Sequence, residues 1–213
     1  MKGMDNLVPK KRILEAAVSL FAQKGFAAVG VREIAAEAGV NIAMISYYFE
    51  GKVGILKDIL EEFFDRYSLV FEGVDDESKA PEECVRDLIH NLINFVRKNT
   101  DLTMVSYNEL PLEIPEIADL KAKRITATIQ KISPLIRRME LDPQDTFLIA
   151  VVGPGLISTI FTNFRFRPVL KRVFKFKFDD SYYERYSETI ATLFLNGIKG
   201  LIAEKKRQER RKK

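Results

Sequence analysis

Several residue types with distinctive chemistry are scarce in this chain of 213 residues, which has one cysteine, one histidine and no tryptophan. The lone Cys84 excludes an internal disulfide and a cysteine-cluster metal site. His90 has no second histidine or nearby cysteine to share a metal ion. No nucleophile–base set, metal-ligand spacing or phosphate-binding glycine loop is present. We therefore expect neither an enzyme nor a bound cofactor or metal.

Long apolar runs are missing as well. No run approaches the roughly 20 residues that a membrane-spanning helix needs, and the first residues lack the pattern of a signal peptide. Apolar residues make up 46% of the chain and charged residues 30%, as in ordinary soluble globular proteins. We therefore expect a cytoplasmic protein with no membrane partner.

The chain is basic, but the excess charge lies mainly at its end. The last ten residues, EKKRQERRKK, carry seven basic and two acidic side chains. Two interpretations stay open: a solvated terminus that aids solubility, or weak, salt-sensitive attraction to nucleic acid. We predict a disordered basic tail over residues 207–213.

Residues 34–52, IAAEAGVNIAMISYYFEGK, have the pattern of two short helices joined by a tight turn. Small and apolar side chains share one face of the first helix. Gly39 is suited to end it, because glycine adopts the left-handed conformation without a Cβ clash. Asn41 is a strong N-cap for the second helix. Such a pair forms a helix-turn-helix, whose second helix fits the major groove of DNA.

The second helix has an inner and an outer face. Ile45 and Phe49 lie four residues apart and should face inward. The outer residues lack arginine, lysine and glutamine, so the bidentate contacts that distinguish G or A are mostly missing. This face can make apolar contacts with thymine methyl groups and hydrogen bonds to phosphate. The outward residues are Ile42, Ala43, Ser46 and Tyr47, with Met44 as a further apolar contact.

This stretch and the helix before it resemble the DNA-binding domain of the tetracycline-repressor (TetR/AcrR-like) family of bacterial transcription regulators. The match covers about residues 10–60 as one ordered set. The matching residues are Ile13, Leu14, Ala16, Ala17, Leu20, Phe21, Gly25, Phe26, Val31, Arg32, Ile34, Ala35, Ala38, Gly39, Val40, Asn41, Tyr47, Tyr48, Phe49 and Lys52. The chain departs from the family pattern at Gly30, Ser46 and Gly54, and we expect Gly54 to weaken the start of the fourth helix.

The resemblance implies which residues meet DNA. Cations at the starts of the first and fourth helices would contact phosphate, with the dipole of the fourth helix assisting; a solvated basic helix end is equally open for the first group. Asn41 could contact adenine, although we favour its role as a helix cap. The implied DNA-binding residues are Lys10, Lys11, Arg12, Arg32, Asn41, Ile42, Ala43, Met44, Ser46, Tyr47, Tyr48 and Lys52.

Behind this domain, apolar residues recur at helical spacing through most of the chain. The fold class is therefore all-α, with about nine helices: a three-helix head that uses the front of the fourth helix, and a larger helical body. We place the DNA-binding domain at residues 1–55 and the ligand-binding and dimerisation domain at 56–206.

The segment 165–180, RFRPVLKRVFKFKFDD, breaks this helical pattern. Phe174, Phe176 and Phe178 alternate with Lys175 and Lys177, a two-residue period typical of an extended segment. Its basic and aromatic residues would suit nucleic acid or a membrane. We favour an extended segment whose phenylalanines cover the body and whose lysines meet water.

The resemblance implies a homodimer formed by the last two helices of each subunit. Residues spaced four and three apart on the last helix form a narrow seam typical of paired helices. Two copies would present two recognition helices to the half-sites of a near-palindromic operator. The predicted interface residues are Leu156, Ile160, Tyr186, Ile190, Leu193 and Gly197.

The resemblance also implies repression that a small hydrophobic effector relieves, by binding more tightly to the state that does not fit DNA. The effector could be a hydrophobic drug, an acyl chain or an aromatic compound. Candidate ligand-binding residues are Phe64, Tyr67, Met104, Tyr107, Asn108, Phe147, Val151 and Phe161, each of which plain core packing would explain equally well. The main alternative is a helical adaptor that binds protein and not DNA.

Overall fold

The computed structural model describes residues 2–108 and 110–211 and, within them, the side chains of all but residues 2–8, 108, 208 and 209. These residues form ten α-helices and a 3-10 turn at Leu69–Phe71, with no strand, which confirms the all-α prediction. The helices are α1 (Lys2–Lys24), α2 (Val31–Ala38), α3 (Ala43–Phe49), α4 (Lys52–Ser68), α5 (Pro81–Lys98), α6 (Thr100–Asn108), α7 (Pro115–Arg138), α8 (Thr146–Arg165), α9 (Arg167–Phe174) and α10 (Asp180–Arg211).

The first compact unit comprises Met1–Ser68 and Asn99–Thr126. In it α1 packs against α2, α4 and α6, and α3 packs against α4. Their apolar faces meet in one core, whose fully buried members include Ile13, Phe21, Ile34, Ile55 and Ile59. The buried face of α4 continues from Ile55 to Tyr67, so the compact unit extends beyond residue 55. The domain boundary at residue 55 stays a prediction.

The second unit comprises Leu69–Lys98 and Ala127–Lys213. In it α5 packs against α10, α8 and the 3-10 turn. The guanidinium of Arg138 holds the loop before α5, because its Nη1 donates to Asp75 Oδ1 at 2.6 Å and to the carbonyl oxygen of Asp76 at 3.1 Å. The core of this unit includes Ile89, Leu92, Ile93, Val96, Ile160, Phe161, Tyr183, Ile190 and Ala191.

The predicted extended segment over 165–180 is wrong for its first half, where residues 167–174 form α9. Pro168 lies in the first turn of α9, where its missing N–H costs no hydrogen bond. Residues 175–178 have no regular secondary structure, and Lys175 is in the left-handed conformation with φ of 58°. The prediction failed because it followed the two-residue period of the phenylalanines and overlooked the helical period before them. Phe174 and Phe176 are 59% and 42% exposed, so they do not cover the body.

Helices α8 and α10 also differ from expectation. α10 continues through Arg211, although we predicted disorder from residue 207. Lysine, arginine, glutamine and glutamate all favour helix, so the composition of this segment does not end the helix.

By length and composition α8 could cross a membrane, and only 17% of its most apolar window is buried. From the sequence we predicted no membrane-spanning run, because glycine, proline and hydroxyl residues interrupt the apolar residues of α8. An exposed apolar face like that of α8 is expected to contact another molecule.

Candidate DNA-binding interface

Helix α3 is fixed by two buried side chains and exposes the opposite face. Ile45 and Phe49 are 1% and 4% exposed, as their spacing predicted. On the other side Ile42 is 43% exposed and Tyr47 is 77% exposed, and Ala43 and Ser46 are exposed with them. Met44 and Tyr48 are half-buried at the flanks. The outward face therefore has the predicted composition, while its contacts with DNA stay a prediction.

The turn between α2 and α3 depends on Gly39 and Arg12. Gly39 has φ of 60°, the left-handed conformation that we predicted for it. Arg12 Nη2 of α1 donates to the carbonyl oxygen of Gly39 at 3.0 Å, and a Cβ at residue 39 would lie 2.5 Å from that Nη2. Glycine is thus required for its backbone conformation and for space. Arg12, predicted to contact phosphate, also has this structural role.

Asn41 caps α3 through its side chain. Its Oδ1 accepts the N–H of Ala43 at 2.9 Å, and its carbonyl oxygen accepts the N–H of Met44 at 2.9 Å. The helix begins at Ala43 with Ile42 in the N-cap position, one residue later than predicted. The Asn41 side chain therefore already serves a backbone donor, which supports the cap and argues against the adenine contact.

Replacing Asn41 by Ala should lower the free energy of unfolding by about 1 kcal/mol, because the N–H of Ala43 loses its acceptor. Asn41→Ser keeps an acceptor oxygen and should recover most of that loss. Urea unfolding measures both variants. Wild-type stability of Asn41→Ala together with an altered base preference would instead assign Asn41 to base contact.

Gly54 determines how α3 is seated on α4. A Cβ at residue 54, in the first turn of α4, would lie 1.6 Å from the backbone oxygen of Phe49 at the end of α3. From the sequence we expected Gly54 to weaken the start of α4, because glycine has a low helix propensity. That prediction is not tested by the structure, which adds a second role: the absence of a side chain permits the close approach of the two helices.

Besides Arg12, two of the five predicted DNA-binding cations are engaged within the domain. Lys10 Nζ lies 2.7 Å from Asp58 Oδ2 and 5.4 Å from the ring centroid of Phe49. Lys52 Nζ donates to the carbonyl oxygen of Ala27 at 3.4 Å and lies 4.2 Å from the ring centroid of Phe26. Burial lowers the pKa of Lys52. Both cations therefore help to hold α4 against the rest of the domain.

The other two cations are more accessible. The Lys11 side chain is 77% exposed, and its ion pair with Glu15, one turn along α1, is long at 3.7 Å. Arg32 is exposed on α2 and forms no ion pair with the residues that the structure describes. Surface pairs of this kind contribute about 0–1 kcal/mol, so Lys11 can exchange Glu15 for a phosphate at little cost.

The predicted ligand-binding residues belong to both compact units. In the first, Phe64 and Tyr67 are buried, Met104 and Tyr107 are half-buried, and the side chain of Asn108 lies outside the described residues. The ring of Tyr67 stacks on Phe63 with centroids 5.3 Å apart, and burial raises its pKa. In the second unit Phe161 is buried.

Phe147 and Val151 do not fit the ligand prediction. They are 79% and 54% exposed, so they line no enclosed pocket of the second unit. Their hydrophobicity suggested the pocket, but on α8 they lie on the face that turns away from this unit's core. An exposed apolar face of this kind suits a protein partner better than a small molecule.

The predicted dimer seam divides into inner and outer positions. Ile160 and Ile190 are 0% and 4% exposed in the chain's own core and cannot reach a partner. Leu193 is 61% exposed and Gly197 is exposed, while Leu156 and Tyr186 are half-buried. The hydroxyl of Tyr186 donates to the carbonyl oxygen of Thr159 at 3.0 Å. Periodicity located the apolar positions but could not separate those that pack internally from those left outside.

The helix packing, the glycine turn and the exposed α3 together define a protein of the helix-turn-helix class. Residues 13–59 match the family described as bacterial regulatory proteins, tetR family. The amino-terminal domain is thus similar to the DNA-binding domain of that family, and the resemblance predicted from the sequence is confirmed.

Curated relatives are similar to this chain over about half of its length. The chain is 35% identical over 113 residues to the probable HTH-type transcriptional regulator YttP of Bacillus subtilis, a match that covers 52% of this chain and 55% of YttP. It is 27% identical over 116 residues to YuxN of the same organism, covering 54% of this chain and 40% of YuxN. The chain thus spans about half the length of the curated relatives it matches.

Solved structures share the fold over most of the chain. FadR of Bacillus subtilis, a transcriptional regulator solved in complex with stearoyl-CoA, is similar with a TM-score of 0.68 and 21% identity, over 88% of this chain and 98% of FadR. FadR of Bacillus halodurans, a fatty acid degradation regulator, is similar with a TM-score of 0.67 and 20% identity, over 87% and 94% of the two chains. At this identity the likeness concerns the fold.

Proposed function

We propose that this chain is a cytoplasmic transcriptional repressor that binds an operator through α3. The observation that carries the proposal is the exposure of one face of α3 within a TetR-family domain, while Ile45 and Phe49 fix its other face. The exposed side chains suit thymine methyl groups and phosphate oxygens. Lys11 and Arg32 are accessible for further phosphate contacts. Such contacts set the register on the duplex and make the affinity salt-dependent.

A homodimer would place two such helices on one duplex. The exposed apolar residues of α8 and α10 support it, since Phe147, Val151 and Leu193 are all more than half exposed in the single chain. A two-fold axis makes such an interface self-complementary. The matching operator would be a near-palindrome whose half-sites lie about one helical turn apart.

The double variant Val151→Glu/Leu193→Glu should convert the dimer to monomers, because four carboxylates would be buried at one two-fold interface. Size-exclusion chromatography with light scattering measures the mass. The control is Leu112→Glu/Leu69→Glu, since those leucines are 53% and 61% exposed, against 54% and 61% for the test pair. Dimers that persist in the test variant, or monomers in both variants, would contradict this interface.

We further propose that a small hydrophobic effector releases the repressor from its operator. The similarity to FadR, which was solved with stearoyl-CoA, supports an effector with an acyl chain. The buried Phe64 and Tyr67 and the half-buried Met104 and Tyr107 supply an apolar and aromatic lining on α4 and α6. The effector must bind the DNA-incompetent conformation more tightly, because equal affinity for both states shifts nothing.

Selection from a pool of randomised duplexes tests the DNA-binding function even though the operator sequence is unknown. The chain should enrich an inverted repeat whose half-sites contain thymine at the positions that face Ile42 and Ala43. A helical adaptor that binds only protein would enrich no sequence, and that result would overturn the proposal.

A further inference from the structure

We call residues 165–177 (RFRPVLKRVFKFK) the basic arm. The basic arm contains six cationic side chains and no acidic one. Lys171, Arg172, Lys175 and Lys177 are exposed, and none of them forms an ion pair with the residues that the structure describes. The arm therefore presents uncompensated positive charge to its surroundings.

The same arm also exposes an apolar stripe. Phe166, Val169, Leu170, Val173 and Phe174 recur at helical spacing along one side of α9, and no residue of α9 is buried. Val173 is 62% exposed, Phe174 59%, and Phe166 and Val169 48% each. After α9, the ring of Phe176 stacks on that of Phe174 with centroids 5.4 Å apart. Contiguous apolar surface of this kind marks an interaction site.

The arm is fixed to its unit through its other side. The guanidinium carbon of Arg167 lies 4.1 Å from the ring centroid of Phe164 and 5.2 Å from that of Tyr183. Arg167 is half-buried, and this burial lowers the pKa of its guanidinium. At the far end Phe178 meets Tyr182 with centroids 4.7 Å apart. These aromatic contacts hold the arm at both ends, so the apolar stripe stays outward.

A second copy of the chain, DNA or a lipid surface could cover this apolar stripe, and the charge of the basic arm distinguishes among them. A second copy of the arm, brought in by a two-fold axis, would set six cations against six and repel. DNA phosphates would pair with the cations, but the apolar side chains would stay in water. An anionic lipid surface satisfies both, because its headgroups attract lysine and arginine while apolar side chains enter the acyl boundary.

We propose that the basic arm docks this protein on an anionic membrane surface, with α9 lying in the plane of the interface. Apolar side chains of α9 enter the lipid, and Lys171, Arg172, Lys175 and Lys177 meet the headgroups. From the sequence we expected no membrane partner and favoured an arm whose phenylalanines cover the body, but Phe174 and Phe176 are 59% and 42% exposed. Docking on a surface requires only one amphipathic face with cations beside it.

Co-sedimentation of the full chain with vesicles tests this docking. The probes are vesicles of phosphatidylcholine alone and vesicles with an equal part of phosphatidylglycerol. Wild-type protein should bind the anionic vesicles and not the neutral ones. Val173→Ser/Phe174→Ser and Lys171→Gln/Arg172→Gln should each weaken that binding about tenfold or more, since each removes two contributions to the interfacial affinity. The control Leu69→Ser/Leu112→Ser removes apolar surface of matched exposure elsewhere and should bind like wild type.

Three results would overturn the proposal. One is equal binding to neutral and anionic vesicles, and another is unchanged vesicle binding by both arm variants. The third is a loss of non-specific duplex binding in the arm variants with vesicle binding intact, which would assign the arm to DNA. Circular dichroism confirms that each variant retains its helix content, and because the substituted side chains are exposed we expect no loss.

Discussion

Gly54→Ala is expected to destabilise the DNA-binding domain by about 3 kcal/mol or more, although alanine is the better helix former. The added Cβ would lie 1.6 Å from the backbone oxygen of Phe49, and backbone cannot rotate away as a flexible side chain can. Relief requires α3 and α4 to separate, which uncovers Ile45 and Phe49. Because single domains are stable by only about 5–15 kcal/mol, the loss should be plain in urea or thermal unfolding.

Gly200→Ala is the matched control. Gly200 also lies inside a helix, α10, but a Cβ there has nothing within 4 Å. Helix propensity should therefore act alone and raise stability by about 0.5–1 kcal/mol. Equal and small effects at both positions would show that α3 and α4 are not in close contact at Gly54.

Ala43→Glu should reduce operator affinity at least about a hundredfold, because it sets a carboxylate against phosphate at the centre of the interface. The same change should leave folding intact. Ala43 is exposed, its N–H keeps Asn41 Oδ1 as acceptor, and a negative charge in the first turn of a helix is favourable by about 0.3–1 kcal/mol. Loss of binding with equal or higher stability distinguishes a DNA contact from a folding defect.

Fluorescence anisotropy of a labelled operator duplex measures this effect, with thermal unfolding on the same samples. Ala122→Glu provides the control, since Ala122 is likewise exposed and helical but belongs to α7. It adds the same charge to the whole protein. Equal losses of affinity in the two variants would mean that net charge, and not the surface of α3, controls binding.

The helix-turn-helix could be predicted from the sequence because its determinants are local. The left-handed Gly39, the cap at Asn41 and the inward pair Ile45 and Phe49 each follow from residue type and short spacing, and each is present in the structure. Fold class followed for the same reason. None of these features depends on how distant parts of the chain meet.

Other features depend on contacts between elements, and the sequence predicted them less well. Gly54 is explained only by the backbone oxygen of Phe49, and the role of Arg12 only by the carbonyl oxygen of Gly39. Similarly, Ile190 and Leu193 share one apolar seam in the sequence, yet one is buried and the other is 61% exposed. Periodicity gives the face of a helix but not the identity of what covers it.

Helix α9 shows a second kind of failure, in which two periods compete within one segment. The alternation of phenylalanine and lysine over 174–178 predicts an extended chain, whereas the apolar spacing over 166–174 predicts a helix. Only the helix is present: α9 ends at Lys175, whose φ is 58°, and residues 175–178 have no regular secondary structure. Dividing the segment at this position would have separated the two patterns.

We propose that the domain holds α3 outward and that two copies of the chain bind one duplex. A gel shift of the purified chain with the intergenic DNA upstream of its own coding sequence tests it most directly, with the mass of the complex determined by light scattering. We expect a discrete shifted complex that contains two chains per duplex and weakens as salt rises. An unshifted fragment, or a complex that holds a single chain, would contradict it.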